Sequence, residues 1–165
     1  MIQKKICMVG VFATGKTSLV RQYVFSMFSE KYHSTVGVKI DRKRVEVDGT
    51  TVNLLLWDLA GRDGTEDIQA SYIRGAAGVL LVVDGTRRET FDQVFELRDI
   101  CFETAGEIPA VVAINKSDLT DEWQLAPADY DRLSEAGLDY FITSARTGDG
   151  VEDAFVGLAR ATMDP

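Results

Sequence analysis

The segment from Gly10 to Ser18, GVFATGKTS, combines the residue types that proteins use to hold phosphate groups. Its glycines, Lys16 and Thr17 follow the spacing G-x-x-x-x-G-K-T, between an apolar strand pattern and an amphipathic helical one. Backbone N–H groups and the positive end of the helix dipole would then face the phosphates. Lys16 would reach the outer phosphates, and the Thr17 hydroxyl would ligate Mg²⁺. A chance glycine-rich turn is the alternative, and the flanking patterns argue against it.

A second candidate functional residue is Asp58. It ends the apolar strand LeuLeuLeuTrp and precedes Leu59-Ala60-Gly61. The carboxyl ends of parallel strands meet at one edge of a sheet, so this carboxylate is expected near the phosphate loop. On its own, Asp-x-x-Gly is more often a strand-ending cap. The phosphate loop upstream favours a role for Asp58 as an outer-sphere partner of Mg²⁺.

The third stretch, Asn115-Lys116-Ser117-Asp118, follows another buried strand. A carboxylate can accept two hydrogen bonds from the N1 and N2 donors of guanine, which adenine does not offer in that arrangement. In isolation the stretch fits a polar strand-to-helix turn equally well. Next to a phosphate loop it indicates recognition of a guanine nucleotide.

Apolar strand patterns alternate with helical patterns along the chain. The predicted strands cover residues 6–9, 45–47, 52–57, 79–83, 110–114 and 140–142. Asp48-Gly49 joins the second and third as a hairpin, because this dipeptide readily supplies the positive φ of a tight turn. We therefore expect an α/β fold with a mostly parallel six-stranded sheet, helices on both faces and one antiparallel hairpin. Thr86 with Glu89 resembles a capping box, and Gly106 marks the end of the following helix.

The length and net charge of the chain limit how many domains it forms and which partners it binds. The 165 residues fit one domain, and the net charge of −8 would repel a nucleic-acid backbone, so nucleic acid is not an expected partner. The two cysteines lie in apolar segments, and neither a membrane-spanning run nor a signal-peptide layout is present, which favours the cytoplasm. Without a C-terminal cysteine to carry a prenyl group, we expect no membrane anchor in this chain.

Together these motifs resemble those of small GTPases of the Ras superfamily, over essentially the whole chain, residues 1–165. Thr35 in TyrHisSerThrValGly and Ser144-Ala145 after the last strand complete the resemblance. The segments SerTyrIleArgGlyAla and ThrValGlyVal are most similar to the Rab branch. The resemblance implies the P-loop GTPase fold and a molecular switch that binds GTP or GDP with Mg²⁺ and hydrolyses GTP to GDP and phosphate.

The resemblance also implies roles for individual residues. Thr35 would ligate Mg²⁺ and sense the γ-phosphate, and the Gly61 N–H would meet the same phosphate. Phe28 would pack across the guanine edge, the Ala145 N–H would meet guanine O6, and Tyr32 would close over the phosphates. The implied nucleotide-binding residues are Ala13, Thr14, Gly15, Lys16, Thr17, Ser18, Phe28, Tyr32, Thr35, Gly61, Asn115, Lys116, Asp118, Ser144, Ala145 and Arg146. The implied metal residues are Thr17, Thr35 and Asp58, and the implied catalytic residues are Lys16, Thr35, Gly61 and Arg62.

The sequence departs from the family pattern at two places. The family has glutamine directly after the Asp-x-x-Gly glycine to orient the attacking water, and this chain has Arg62, which carries no acceptor. Phe12 occupies a loop position where the family usually has a small residue. The two residues predict intact nucleotide binding with impaired hydrolysis. A competing hypothesis is that Arg62 acts as an arginine supplied in cis, an effect worth about 10³–10⁵ in rate where it operates.

Three functional interpretations stay open at this point. The first is a cycling switch whose effectors and regulators bind switch regions around residues 30–42 and 58–76. The second is a docking module that keeps GTP as a near-structural ligand. The third is the GTP-binding domain of a larger regulatory protein, because Ras-like domains of multidomain chains also sometimes carry arginine at this place.

Overall fold

The computed structural model describes residues 2–28, 38–59 and 70–163. The strands in these ranges are β1 (Ile2–Val9), β2 (Val38–Val47), β3 (Thr50–Leu59), β4 (Gly78–Asp84), β5 (Ala110–Asn115) and β6 (Asp139–Ile142). The helices are α1 (Lys16–Phe25), α2 (Ala70–Ile73), α3 (Arg88–Asp92), α4 (Val94–Ala105), α5 (Pro127–Glu135) and α6 (Val151–Met163), with a short 3-10 turn at Thr120–Glu122. None of these described helices has both the length and the apolar character needed to cross a lipid bilayer.

The strands form one sheet in the order β2-β3-β1-β4-β5-β6. Strands β2 and β3 pair antiparallel, and every other neighbouring pair is parallel. The expectation of a mostly parallel six-stranded sheet with one hairpin is therefore confirmed. Because β1 lies between β3 and β4, the chain winds outward from β1 in both directions, and the crevice beyond its carboxyl end is the usual place for a ligand.

The hairpin turn forms as its sequence predicts. Val47 pairs with Thr50, and the turn between them is Asp48-Gly49. Both turn residues have positive φ, 50° at Asp48 and 84° at Gly49. This conformation matches the right-handed twist of the flanking strands, which is why asparagine, aspartate and glycine dominate such turns.

Two apolar cores lie on the two faces of the sheet. Successive residues of β4 alternate between them, with Leu80 and Val82 in one core and Val79, Leu81 and Val83 in the other. Helices α1 and α6 cover the first core, and α3, α4 and α5 contribute to the second. All 7 residues of β4 are buried, as expected for a central strand with helices on both faces.

One local prediction was wrong. Helix α3 begins at Arg88 with Arg87 as its N-cap, so Thr86 does not cap it. Instead the Thr86 hydroxyl donates to the Asp84 carboxylate at 2.6 Å, and the Thr86 N–H donates to the same oxygen at 2.8 Å. The buried carboxylate at the end of β4 attracts the threonine more strongly than the helix terminus does. Gly106, in contrast, ends α4 as expected, with a φ of 87°.

The core against α1 and α6 yields a stability prediction. Phe155 is 1% exposed and its ring stacks on Tyr23 with centroids 4.3 Å apart, so Phe155→Ala leaves a cavity and should lower the free energy of unfolding by about 3–5 kcal/mol. Phe25 is 52% exposed, so Phe25→Ala should change the free energy of unfolding by less than about 1 kcal/mol. Urea unfolding of both variants measures the difference, and equal losses would contradict this packing.

Candidate functional site

The loop from Gly10 to Gly15 connects β1 to α1 at the carboxyl edge of the sheet. Its two glycines are required by close packing. A Cβ on Gly10 would lie 2.6 Å from the Val82 carbonyl oxygen in β4. Gly15 has a φ of 101°, and a Cβ there would lie 2.3 Å from Asn115 Nδ2. The loop is therefore pressed against the ends of β4 and β5, where a Cβ at Gly10 would overlap backbone and a Cβ at Gly15 would have to displace the Asn115 amide.

Every carbonyl group of this loop, from Gly10 to Gly15, accepts a hydrogen bond. Lys16 Nζ donates to the carbonyls of Gly10 at 3.0 Å and Val11 at 3.2 Å, and the Leu19 N–H donates to that of Gly15 at 2.8 Å. Three side chains from outside the loop and α1 bind the other carbonyls. Arg87 Nη2 donates to Phe12 at 2.7 Å, Lys116 Nζ to Ala13 at 3.1 Å and Asn115 Nδ2 to Thr14 at 3.1 Å. In a planar trans peptide the N–H points opposite to the C=O. Holding the carbonyls toward the surrounding protein therefore turns the N–H groups the other way, where a phosphate would sit.

Ala13 is the strained residue of the loop. Its φ is +61°, a left-handed conformation that costs a residue with a Cβ about 1–2 kcal/mol. The peptide groups on both sides of Ala13 are held, one through Phe12 O and the other through Ala13 O. The surrounding protein therefore imposes a conformation that alanine does not prefer.

Lys16 provides a buried positive charge at the base of the loop. The residue is 6% exposed, and burial lowers the pKa of its ammonium to about 8 even though the Asp58 carboxylate acts in the opposite direction. A buried ammonium lacks its hydration shell, and a bound anion restores the lost stabilisation of its charge. The site is thus electrostatically suited to phosphate.

The hydroxyl of Thr17 and the carboxylate of Asp58 meet across the sheet edge. Thr17 Oγ1 donates to Asp58 Oδ2 at 2.6 Å, and Asp58 is 0% exposed. Hydroxyl and carboxylate oxygens are hard ligands that fit Mg²⁺, which binds through one or two protein groups together with phosphate and water. Among the described residues no group of three or more His, Cys, Asp or Glu could hold a metal alone. The donor set therefore fits Mg²⁺ shared with a bound phosphate.

Two turns after β5 and β6 form the predicted base-recognition region. Ser144 Oγ donates to Asp118 Oδ1 at 2.8 Å, which orients the carboxylate; because each carboxylate oxygen has two lone pairs, both oxygens can still accept from a ligand. Asn115 Oδ1 accepts from Thr143 Oγ1 and from the Ala145 N–H, both at 3.2 Å. The Ala145 N–H would therefore have to share or leave this hydrogen bond in order to meet guanine O6.

The other residues predicted to bind nucleotide differ in how exposed they are. Ser18 is half-buried in the first turn of α1, Arg146 is exposed after β6, and Phe28 is 39% exposed beyond the end of α1. The Phe12 side chain on the loop is 41% exposed. The predicted roles of Tyr32, Thr35, Gly61 and Arg62 concern residues outside the described ranges and stay predictions.

The sequence analysis missed Asp84 and Arg87. Asp84 is 1% exposed and lies opposite Asn115 in the register of β4 and β5. It accepts from Arg87 Nε at 3.0 Å and from Lys116 Nζ at 2.9 Å. Burial alone would raise the pKa of Asp84, but hydrogen bonds from Thr86 and Lys116 outweigh burial and hold the pKa below its ordinary value. A carboxylate ending a wholly apolar strand, at the same edge as Asp58, was the available signal.

The glycine that contacts Asn115 yields a prediction with a matched control. Gly15→Ala and Gly49→Ala each place alanine at positive φ, 101° and 84°, but only at Gly15 does the new Cβ meet another residue within 4 Å. Gly15→Ala should displace the Asn115 amide and cost about 1–3 kcal/mol more unfolding free energy than Gly49→Ala. It should also weaken binding of fluorescent GDP at least roughly tenfold. Equal GDP affinities of the two variants would refute the contact.

Comparison with known proteins agrees with this arrangement. The family model described as "Ras family" matches residues 5–164. The chain is 35% identical over 163 residues to the Ras-related protein Rab-1 of Theileria annulata, covering 97% of this chain and 74% of that protein. It is 35% identical to human Ras-related protein Rab-4B (97% and 76% covered) and 31% identical to human Ras-related protein Rab-8B (96% and 78% covered). The chain therefore belongs to the Ras family and is a Rab-like small GTPase.

Proposed function

We propose that this protein, a GTP-binding switch by its family, holds GTP or GDP together with Mg²⁺ and hydrolyses GTP slowly. The observation that carries the proposal is the loop whose carbonyls all accept hydrogen bonds, which leaves its N–H groups to face a ligand. Lys16 Nζ lies against the loop, on the Gly10 and Val11 carbonyls, and the oxygens of Thr17 and Asp58 are in contact with each other. Backbone donors, an ammonium group and hard oxygen ligands together suit a magnesium–nucleotide phosphate.

In this proposal each region contributes one part of nucleotide binding. The loop N–H groups from Ala13 onward and Lys16 bind the phosphates, and Thr17 with Asp58 supports Mg²⁺, which supplies charge neutralisation on the phosphate oxygens when bound. Asp118 accepts from guanine, and Thr35 completes the metal and γ-phosphate contacts. A carboxylate selects guanine because its two acceptor oxygens match two adjacent donors.

Slow hydrolysis follows from two side chains. Catalysis of GTP hydrolysis needs a group that orients the attacking water by accepting a hydrogen bond from it while donating toward the phosphate, and the Arg62 guanidinium has donors only. Phe12 places a half-exposed ring on the loop, and its carbonyl is fixed by Arg87 at 2.7 Å. We infer that this ring crowds the water, the second switch segment, or an arginine delivered by a partner protein.

A partner surface adjoins both switch regions. Ile40 is 48% exposed and lies opposite Trp57 in the β2–β3 register, and the Trp57 ring lies 6.3 Å from that of Tyr72. The ammonium of Lys5 sits 3.8 Å from the centre of the Trp57 ring. An exposed isoleucine beside partly buried aromatic rings is typical of protein–protein contacts. We propose that effector and regulatory proteins bind here, in the cytoplasm, without nucleic acid.

Phe12 and Arg62 also support a second candidate, a docking module that holds GTP with little turnover, in this chain alone or as part of a larger regulatory protein. The two candidates share the binding site and differ in the hydrolysis rate. Chromatography of the nucleotide released from freshly purified, denatured protein separates them. Retained GTP favours the docking module, and GDP favours the cycling switch.

Guanine selectivity is tested at Asp118. Because Ser144 donates to one oxygen of this side chain at 2.8 Å, Asp118→Asn should keep its amide oxygen toward Ser144 and turn its N–H donors toward the base. Affinity for GDP should then fall by on the order of 10²-fold, the loss of two charge-assisted hydrogen bonds, while xanthosine diphosphate, with a carbonyl in place of the amine, should bind better. Asp121→Asn in the exposed 3-10 turn is the matched control. A variant at Asp118 that still prefers GDP would refute this assignment.

Hydrolysis is tested at Arg62. Arg62→Gln should raise the single-turnover rate of GTP hydrolysis on the order of 10²-fold, because the glutamine amide can orient the attacking water and one positioned side-chain donor contributes about 10²–10³ in rate. Adding Phe12→Gly should raise it further, and Arg74→Gln, an exposed arginine in the second switch region, should change little.

The competing cis-arginine hypothesis predicts the opposite sign. Arg62→Ala would then slow hydrolysis, because charge neutralisation at the transferring phosphate would be lost. An unchanged or faster rate for Arg62→Ala supports the impaired-hydrolysis proposal. An ordinary wild-type rate combined with no acceleration by Arg62→Gln would contradict that proposal.

A further inference from the structure

Arg87 connects the phosphate loop to the end of β4. Its Nη2 donates to the Phe12 carbonyl at 2.7 Å, and its Nε donates to Asp84 Oδ2 at 3.0 Å. The same Asp84 oxygen accepts from Lys116 Nζ at 2.9 Å, and Lys116 in turn donates to the Ala13 carbonyl at 3.1 Å. One buried carboxylate therefore anchors two cations that each hold a carbonyl of the loop.

The two carbonyls belong to the peptide groups on either side of Ala13, the residue with a φ of +61°. The first peptide group carries the Phe12 C=O and the Ala13 N–H, and the second carries the Ala13 C=O and the Thr14 N–H. Since C=O and N–H point in opposite directions in a trans peptide, the donor that binds Phe12 O also sets where the Ala13 N–H points. Lys116 fixes only the second group.

We propose that Arg87 is a positioning residue of the nucleotide site, which aims the Ala13 N–H at the nucleotide phosphates by holding the Phe12 carbonyl from behind. The inference rests on the proposed function, because it names how that same site is kept ready for phosphate. Arg87 itself touches the loop backbone and Asp84, and it acts on the nucleotide through the loop.

Two features of Arg87 suit this task. Its guanidinium is a planar fork with several N–H donors, so Asp84 can orient one edge while another N–H reaches the Phe12 carbonyl. It is also close enough to the base of the loop that its charge lowers the pKa of Lys16, after the larger effects of burial and of Asp58. A cation there adds to the positive potential that attracts phosphate.

The test compares Arg87→Ala with Arg88→Ala. Arg88, the next residue, is also paired with an aspartate, Asp129, but has no hydrogen bond to the loop among those of the described residues. Arg87→Ala should speed dissociation of fluorescent GDP roughly tenfold, the loss expected from one charge-assisted hydrogen bond. It should also shift the phosphorus NMR resonance of the bound β-phosphate, which a general loss of stability would leave in place. Arg88→Ala should change neither property.

Two further variants separate positioning from mere stabilisation. Arg87→Lys keeps a charge and a donor but lacks the planar fork, so it should restore only part of the slow dissociation. In an Ala13→Gly background the effect of Arg87→Ala should shrink, because glycine adopts positive φ without strain and needs less restraint. An additive result in this double variant would count against the role of Ala13.

The outcomes distinguish this inference from the proposed function. If the wild-type protein binds neither GDP nor GTP, the proposed function fails and this inference fails with it. If the wild type binds tightly and Arg87→Ala dissociates at the wild-type rate with an unshifted phosphate resonance, the inference alone is overturned. The expected result is faster dissociation with a shifted resonance in Arg87→Ala, both partly restored in Arg87→Lys.

Discussion

A backbone loop can bind phosphate only if its N–H groups face the same side, and the carbonyls must then be bound on the opposite side. A buried carbonyl without a partner costs about 1–3 kcal/mol, so such a loop is not stable by itself. Here the donors come from α1, from the segment before α3, from the last residue of β5 and from the turn after it. The conformation of the loop is therefore a property of the whole sheet edge.

The topology explains why these donors can reach the loop. Strand β1, which leads into the loop, lies between β3 and β4, and β5 lies beyond β4. The ends of four neighbouring strands thus deliver the loop, Asp58, Asp84 and Asn115 to one crevice. Close approach is enforced by packing, because a Cβ at Gly10 or Gly15 would overlap Val82 or Asn115. The two apolar cores on either side of β4 hold these strand ends in register.

The candidate site is rich in positive charge although the chain as a whole is acidic. The protein carries a net charge of −8, yet Lys16, Arg87 and Lys116 surround the phosphate loop. Asp84 keeps two of these cations in place, and Asp58 contacts the Thr17 hydroxyl at the position suited to Mg²⁺. The local arrangement thus concentrates positive charge toward one small region of an otherwise acidic surface, which favours a compact polyanion over an extended one.

The sequence by itself determined the alternation of strands and helices along the chain, the hairpin at Asp48-Gly49 and the meeting of Lys16, Thr17 and Asp58 at one edge, because these depend on local spacing and on motifs at strand ends. It also located the two departures, Phe12 and Arg62. Only the tertiary structure revealed that Thr86 binds Asp84 rather than capping α3, and that Arg87 holds a carbonyl 75 residues away. The reason is physical: local patterns record backbone preference, whereas the partner of a buried carboxylate or carbonyl depends on which distant strands end at the same edge.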